Sequence, residues 1–238
     1  AKEYRALGIT VALGPQIDLA TEPRWMRYED TMGGNRELLT KLVRAYCDGM
    51  QTTEGAEGGW GKDSVAAMVK HWPGGGSGEG GRDAHYSMGK YAVYPGQNQD
   101  LALIPFVDGA FKLKGKTKQA SAVMPYYTIS YGLDPSGQNV GNNFSKYIIT
   151  DLLRDKYNYD GVVCTDWSVT ADEKAINSLL SGKSHGVEHL SVAERHYMVL
   201  MAGVDQFGGN NDKGPILEAY EMGVKEHGEE FMRQRFEA

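Results

Sequence analysis

Short apolar runs alternate with amphipathic stretches along most of the chain. The runs are almost continuously hydrophobic, which is typical of parallel strands that are covered on both faces. Between them, apolar residues recur every three or four positions, as on one face of a helix. Strands that alternate with helices predict a parallel sheet built from right-handed crossovers. The five predicted strands are Ile9–Leu13, Ala66–Val69, Ala122–Met124, Gly161–Thr165 and Gly203–Phe207.

Signals for helix ends flank the amphipathic stretches. Asn35 is suited to cap a helix over Glu37–Met50, and Ser191 with Glu194 forms a capping box for a later helix. Pro215 suits the first turn of the last helix. The predicted apolar stripe on Glu37–Met50 consists of Leu38, Leu39, Leu42, Val43, Tyr46, Cys47 and Met50. The other helical patterns cover Asp100–Phe111, Phe144–Asp155 and Glu218–Ala238.

Two α/β architectures satisfy this alternation, a (β/α)₈ barrel and an open doubly wound sheet. Both place their functional residues after the carboxyl ends of the strands, where the loops gather. Polar and aromatic residues follow every predicted strand, so we expect a binding or catalytic site at that end of the sheet. These segments are Gly14–Asp18, Lys70–Trp72, Pro125–Tyr127, Asp166–Trp167 and Gly208–Asn211.

Composition narrows the function classes. The chain has 25 basic and 31 acidic side chains and a formal net charge of −6, which argues against nucleic-acid binding because phosphate recognition needs a basic surface. No run approaches the roughly eighteen apolar residues of a membrane-spanning helix, so no membrane association is expected. Glycine is in excess, with 31 of 238 residues, and it clusters in predicted loops. The clusters are Gly55–Gly61, Gly74–Gly81 and Gly203–Gly209.

The two cysteines, Cys47 and Cys164, lie in an apolar helix stripe and an apolar strand. We expect buried free thiols, because neither cysteine has the spacing of a metal ligand.

Asp166 and Trp167 give the strongest local signal for a functional site. Asp166 directly follows a buried strand, and such an aspartate can simply cap the next helix. The adjacent Trp167 favours a functional interpretation, because an exposed indole beside a fixed carboxylate is suited to stacking on sugar rings.

Two further segments supply hydrogen-bond donors. Lys70 and His71 precede a glycine-rich loop that lacks the G-x-x-x-x-G-K-[ST] pattern of a phosphate site. Arg27 lies in a charged segment that is either a solvated loop or a source of bidentate hydrogen bonds to vicinal hydroxyls. A carboxylate nucleophile, cationic donors and aromatic platforms are the inventory of a glycosidase. The predicted platforms are Trp72, Tyr127 and Trp167.

These motifs, in this order, resemble glycoside hydrolase family 3, the β-glucosidase and β-xylosidase family. The resemblance covers essentially all of residues 1–238 and implies an incomplete (β/α)₈ TIM-type barrel. The matching segments are Glu3–Ile9, Pro15–Arg27, Lys70–Gly75 and Gly161–Trp167.

The resemblance also implies roles for individual residues. Asp166 matches the catalytic nucleophile of a retaining mechanism, and Tyr127 matches the tyrosine beside it. Arg27, Lys70 and His71 match donors to sugar hydroxyls, and Trp167 is expected to bind substrate as well. The implied activity is hydrolysis of terminal non-reducing β-D-glucosyl residues from oligosaccharides, without a cofactor or metal. The implied location is the periplasm or the extracellular space.

The chain departs from the family pattern in three places. Asp30–Arg36 stands where the family usually has a glutamate followed by Gly-Glu-Asp-Pro, which puts the ion pairs of that loop in doubt. The family's first barrel strand, with a further sugar-binding aspartate, is expected before Ala1. Its acid/base, commonly a glutamate of a following α/β sandwich domain, is expected after Ala238.

Two alternatives remain open. Asp83 and His85 resemble the Asp-x-His acid/base of family members that act as β-N-acetylhexosaminidases, although His85 also fits an ordinary surface loop. A non-catalytic carbohydrate-binding protein would share the aromatic pocket. A metal site is not expected, because His185 and His189 lack the accompanying ligand pattern, and Glu188 fits a solvated face.

Overall fold

A computed structural model describes residues 1–174, 179 and 181–237. A parallel four-stranded sheet forms its centre, and the strands lie in the spatial order β1-β2-β4-β6. Each new strand adds to the same side, as in a barrel, whereas a doubly wound sheet reverses direction at its switch point. The strands are β1 (Val11–Ala12), β2 (Ala66–Trp72), β3 (Tyr91–Ala92), β4 (Ala122–Pro125), β5 (Ile129–Ser130) and β6 (Val162–Val163).

Four of the five predicted strands are present, but the fifth prediction is wrong in extent. Within Gly203–Phe207, only Gln206 forms a parallel bridge, to Cys164. The amides of Asp205 and Gln206 both donate to the Val163 carbonyl, and the chain then leaves the sheet. The small β3–β5 pair, with two residues in each strand, was not predicted.

Both faces of the central sheet are apolar, as the continuous hydrophobic runs predicted. One face packs into the main core through residues such as Val69, Val123 and Val163. The other face carries a smaller buried cluster of Met68, Ala122, Met124 and Cys164.

Helices cover the outer face of the sheet, and none within the described part of the chain is long and apolar enough to cross a membrane. The Asn35 side chain accepts hydrogen bonds from the amides of Glu37 and Leu38, which confirms the predicted cap. The capping box of Ser191 and Glu194 is also confirmed. The α-helices are α1 (Lys2–Ala6), α2 (Arg36–Gln51), α3 (Gln99–Ile104), α4 (Val192–Ala202), α5 (Gly214–His227) and α6 (Glu229–Glu237). Pro105–Ala110 and Tyr147–Lys156 are π-helical, and 3₁₀ turns occur at Tyr28–Asp30, Glu57–Gly59, Gly75–Ser77, Glu79–Gly81, Ser87–Gly89 and Asn142–Phe144.

Two helix predictions need correction. Leu38, Leu42 and Tyr46 of the predicted α2 stripe are exposed, whereas Leu39, Thr40, Val43, Cys47, Met50 and Gln51 are buried. The predicted helix Glu218–Ala238 is two helices, because Gly228 has φ 90° and ψ 159° and ends α5. Its final residue, Ala238, lies outside the described residues. Pro215 is in the first turn of α5, as predicted.

The thiol predictions are confirmed, since Cys47 and Cys164 are both free and buried.

Candidate active site

A cavity of about 300 Å³ lies at the carboxyl ends of the central strands. All six predicted site residues line it, although they come from four separate segments of the chain. These residues are Arg27, Lys70, His71, Tyr127, Asp166 and Trp167. Further lining residues are Leu13, His85, Met124, Ser168, Leu179 and Ser181.

Asp166 presents one free carboxylate oxygen in this cavity. Its Oδ1 accepts a hydrogen bond from the Trp167 amide at 2.7 Å. Its Oδ2 is buried, has no hydrogen-bond partner among the described residues, and lies 3.7 Å from His71 Nε2. A buried carboxylate oxygen without a partner is energetically costly and is characteristic of functional sites. The backbone therefore holds the carboxylate in place while Oδ2 stays available for chemistry.

Tyr127 and Trp167 flank this carboxylate. The Tyr127 hydroxyl donates to the Trp167 carbonyl at 2.9 Å. Burial and the neighbouring Asp166 charge raise the pKa of Tyr127, so the phenol stays protonated. Trp167 is 43% exposed at the cavity mouth, and its ring lies against Gly208, where a Cβ atom would come within 2.3 Å of it. The position of the indole ring therefore requires a glycine at residue 208.

His71 is held by a buried carboxylate, Asp18. The Asp18 Oδ2 lies 2.8 Å from His71 Nδ1, and its Oδ1 accepts from the amides of His71 and Gly75. Burial lowers the pKa of His71. For Asp18, burial raises the pKa, but the interaction with His71 and the hydrogen bonds from the two amides outweigh it, so the net direction is down. The pair therefore consists of a neutral imidazole that donates from Nδ1 and an ionised carboxylate.

Arg27 completes this network. Its Nη2 donates to Gln16 Oε1 at 2.7 Å, and its Nη1 lies 3.3 Å from His71 Nε2. Because a guanidinium only donates, His71 Nε2 must accept, which agrees with the neutral tautomer. The loop that departs from the family pattern still supplies an ion-pair partner, Asp30, at 3.5 Å. Burial lowers the pKa of Arg27, but Tyr126 and Asp18 outweigh it and keep the group charged.

Lys70 reaches the same cavity as His71, although adjacent strand residues normally point to opposite faces. The pairing of β2 with β4 shifts register between Lys70 and Trp72, and this irregularity brings both side chains to the site. Burial, followed by the charge of Arg27, lowers the pKa of Lys70. The two cations and Asp166 therefore share a poorly solvated space.

Asp83 and His85 also reach the cavity, on the glycine-rich loop after β2. Asp83 Oδ1 lies 2.5 Å from His85 Nδ1, and His85 lines the cavity. Asp83 Oδ2 accepts from Trp25 Nε1 at 2.8 Å and from the Tyr126 hydroxyl at 3.1 Å. Burial raises the pKa of Asp83, but the bonds from His85 outweigh it and leave the carboxyl ionised. With Nδ1 engaged, Nε2 is the His85 nitrogen left for proton transfer.

One predicted platform is wrong, and two supporting residues were missed. Trp72 is fully buried in the core and donates to the Ile148 carbonyl at 3.0 Å, so it cannot stack on a ligand. Asp18 and Gln16 hold His71 and Arg27, yet neither was predicted as a site residue. Their position directly after β1 was the available signal, because strand ends collect functional side chains.

Comparison with known proteins identifies the family of the chain. The model of the glycosyl hydrolase family 3 N-terminal domain matches residues 1–225. The chain belongs to this family. It is 42% identical over 223 residues to β-glucosidase C of Emericella nidulans, covering 94% of this chain and 34% of the relative. It is 40% identical over 234 residues to a periplasmic β-glucosidase/β-xylosidase of Dickeya chrysanthemi, covering 93% and 34%.

A solved β-glucosidase from Erythrobacter marinus shares the fold, with a TM-score of 0.68 and 25% identity. The match covers 99% of this chain and 28% of that structure. These matches confirm the predicted α/β fold of the (β/α)₈ barrel type. The chain spans about a third of the length of the curated relatives that it matches.

Proposed function

We propose that the protein containing this family 3 domain is a retaining β-glucosidase that removes terminal non-reducing β-D-glucosyl residues from oligosaccharides. The observation that carries this proposal is Asp166 Oδ2, which has no hydrogen-bond partner among the described residues and lies in a cavity lined by cations and aromatic rings. The relatives named as β-glucosidases support the choice of sugar. The relative named as periplasmic supports an exported location.

The geometry suits a double-displacement reaction. Asp166 Oδ2 attacks the anomeric carbon, forming a glycosyl-enzyme, while an acid protonates the departing oxygen. Water then hydrolyses the glycosyl-enzyme, and the residue that served as the acid in the first step now acts as the base. Arg27, Lys70 and His71 surround the sugar position and would hold its hydroxyls, while Trp167 provides a stacking surface. Hydrogen bonds to the hydroxyls strengthen as positive charge develops on the ring in the transition state.

The decisive experiment removes the proposed nucleophile, Asp166, and supplies azide as an external nucleophile in its place. In the complete protein, Asp166→Gly should lower turnover of an aryl β-glucoside by at least about 10³-fold, because the covalent step is lost. Added azide should then restore product as the α-glucosyl azide, since it attacks from the face that Asp166 occupied. Asp160→Asn, at the opposite end of the same strand, is the matched control and should keep full activity.

Other outcomes would contradict the assignment. A β-glucosyl azide would identify Asp166 as the acid/base instead of the nucleophile. Full activity in Asp166→Gly would remove the residue from catalysis. A wild-type protein that binds glucose but hydrolyses no aryl glycoside would support a carbohydrate-binding function.

A second candidate is a β-N-acetylhexosaminidase in which Asp83 and His85 form the acid/base. The presence of His85 in the same cavity as Asp166 favours it, as does the carboxylate on Nδ1, which orients the ring for proton transfer. The competing source of the acid is a carboxylate of a following α/β sandwich domain, the partner domain that the family resemblance implies.

His85→Asn separates these sources of the proton. If His85 is the acid, hydrolysis of an alkyl glycoside should fall about 10²–10⁴-fold, while a dinitrophenyl glycoside, whose leaving group needs no proton, should cleave nearly as fast in its first step. Equal and small effects on both substrates would place the acid elsewhere. Comparing the rates at which the wild-type protein hydrolyses aryl glucosides and aryl N-acetylglucosaminides shows which sugar it prefers.

A further inference from the structure

A second cluster of ligating side chains lies outside the lining of the catalytic cavity. It consists of Glu173, His185 and Glu188, and one potential ligand atom from each residue lies within 4.8 Å of the other two. His185 is 1% exposed, and the Glu173 side chain is 22% exposed. The sequence did not suggest this set, because Glu173 lies twelve residues before His185 in no recognised ligand pattern, and Glu188 fitted a solvated surface.

The hydrogen bonding of His185 defines its tautomer. Its Nε2 lies 3.0 Å from the carbonyl oxygen of Ala84, which only accepts, so Nε2 carries the proton. Nδ1 is then the ring nitrogen available to bind an ion. It lies 2.7 Å from Glu173 Oε1. Both atoms are buried, and neither forms an aligned hydrogen bond with a described residue.

A ring nitrogen and a carboxylate oxygen this close need a proton or a metal cation between them. A shared proton would form an aligned hydrogen bond, and neither atom has a hydrogen-bond partner among the described residues. The convergence of Glu188 on the same point also favours an ion with several ligands. Its carboxylate is held by the amides of Gly186 and Glu188 and by Lys90 at 3.3 Å, which outweigh the effect of burial and lower its pKa.

We propose that Glu173, His185 and Glu188 bind one divalent transition-metal ion of the zinc class. One imidazole nitrogen and two carboxylate oxygens suit zinc, and a fourth position stays open for water. Zinc ligands at about 2.0–2.2 Å lie roughly 3.4 Å apart in a tetrahedron, so binding requires shifts of about 1 Å. The two glutamate side chains provide that movement.

The proposed ion would act on the catalytic loop through its histidine ligand. The Ala84 carbonyl that holds His185 lies between Asp83 and His85 in the chain. Metal ligands of this type are commonly fixed by a hydrogen bond from the other ring nitrogen to a carbonyl. The ion would therefore tether the glycine-rich loop to the segment after β6, so metal removal should loosen residues 83–86.

The test uses the protein after treatment with EDTA and titration with zinc chloride alone. We expect one equivalent to bind by calorimetry, the melting temperature to rise, and amide exchange at residues 83–86 to slow. Glu188→Gln removes a largely exposed ligand without disturbing the core, and it should weaken zinc binding at least tenfold. Glu218→Gln, an exposed substitution on α5, should bind zinc as the wild type does.

Two results would overturn the proposal. One is no zinc binding, or binding that survives Glu173→Gln and Glu188→Gln unchanged. The other is binding that persists in those variants but disappears in His85→Asn, which would place the zinc on the catalytic loop. His185→Gln should abolish binding, but Glu188→Gln decides the matter if the histidine variant does not fold.

Discussion

At the residue scale, the tautomer of His71 determines how Arg27 is held on one side of the cavity. Asp18 accepts from Nδ1 of His71, which leaves Nε2 as an acceptor for Arg27. Arg27 is in turn held by Gln16. If the imidazole changed tautomer, Nε2–H would face a guanidinium donor and the contact would become repulsive. The orientation of Arg27 toward a ligand therefore depends on a carboxylate that does not line the cavity.

Substituting Asp18→Asn tests this dependence. The asparagine amide would face the Nδ1 proton, so we expect a loss of about 1–3 kcal/mol in the free energy of unfolding at pH 7. Urea denaturation measures it. Asp30→Asn, which removes an exposed partner of the same arginine, should cost less than about 1 kcal/mol. Equal losses in the two variants would contradict a special role for Asp18.

The acid side of the stability profile gives a second measure of the same substitution. The pKa of Asp18 is lowered in the folded state, so its contribution is present above the unfolded value near 4 and is lost as the pH falls through the folded value. The difference between Asp18→Asn and wild type should therefore be smaller at pH 3 than at pH 7. A constant difference would show that the ionised form does not matter.

At the element scale, backbone irregularities place the site residues. The register shift in β2 brings Lys70 and His71 to one cavity, and glycine loops allow close backbone approaches. At Gly76, for example, a Cβ atom would lie 1.9 Å from the Leu19 carbonyl. The sequence showed where glycine is in excess but not which neighbours it meets, because those contacts join segments that are distant along the chain.

Gly208→Ala should disturb the ligand surface more than the fold. The new methyl group would overlap the Trp167 ring and the Thr165 carbonyl, each about 2.3 Å away, so the indole must move. We expect weaker glucose binding, measured by calorimetry, together with a stability loss of about 1–3 kcal/mol from overpacking. Gly49→Ala is the matched control. It lies in α2 with no atom near the added methyl group, and it should raise stability by up to about 1 kcal/mol.

At the scale of the whole molecule, the hydrophobic pattern was enough to predict the parallel sheet and the end of the strands at which the cavity lies, while polar residues before two helices predicted the caps. The six predicted site residues share one cavity because the carboxyl ends of parallel strands meet at the same edge of a sheet. The error at Trp72 had a different origin. Position after a strand cannot show whether an indole turns into the core or into the cavity, and the register shift in β2 decides that. The link between Glu173 and His185 likewise depends on loop packing.

The two buried cysteines can be used to measure local unfolding of this chain by thiol labelling. Burial raises the pKa of the Cys47 thiol to about 12 and that of Cys164 to about 11, so neither is a nucleophile at neutral pH. A thiol reagent can modify each cysteine only in molecules in which local unfolding has exposed that thiol. Cys47 is on the buried face of α2, whereas Cys164 is in the cluster on the opposite face of the sheet. Their two labelling rates therefore distinguish local detachment of a helix from disruption of the sheet itself.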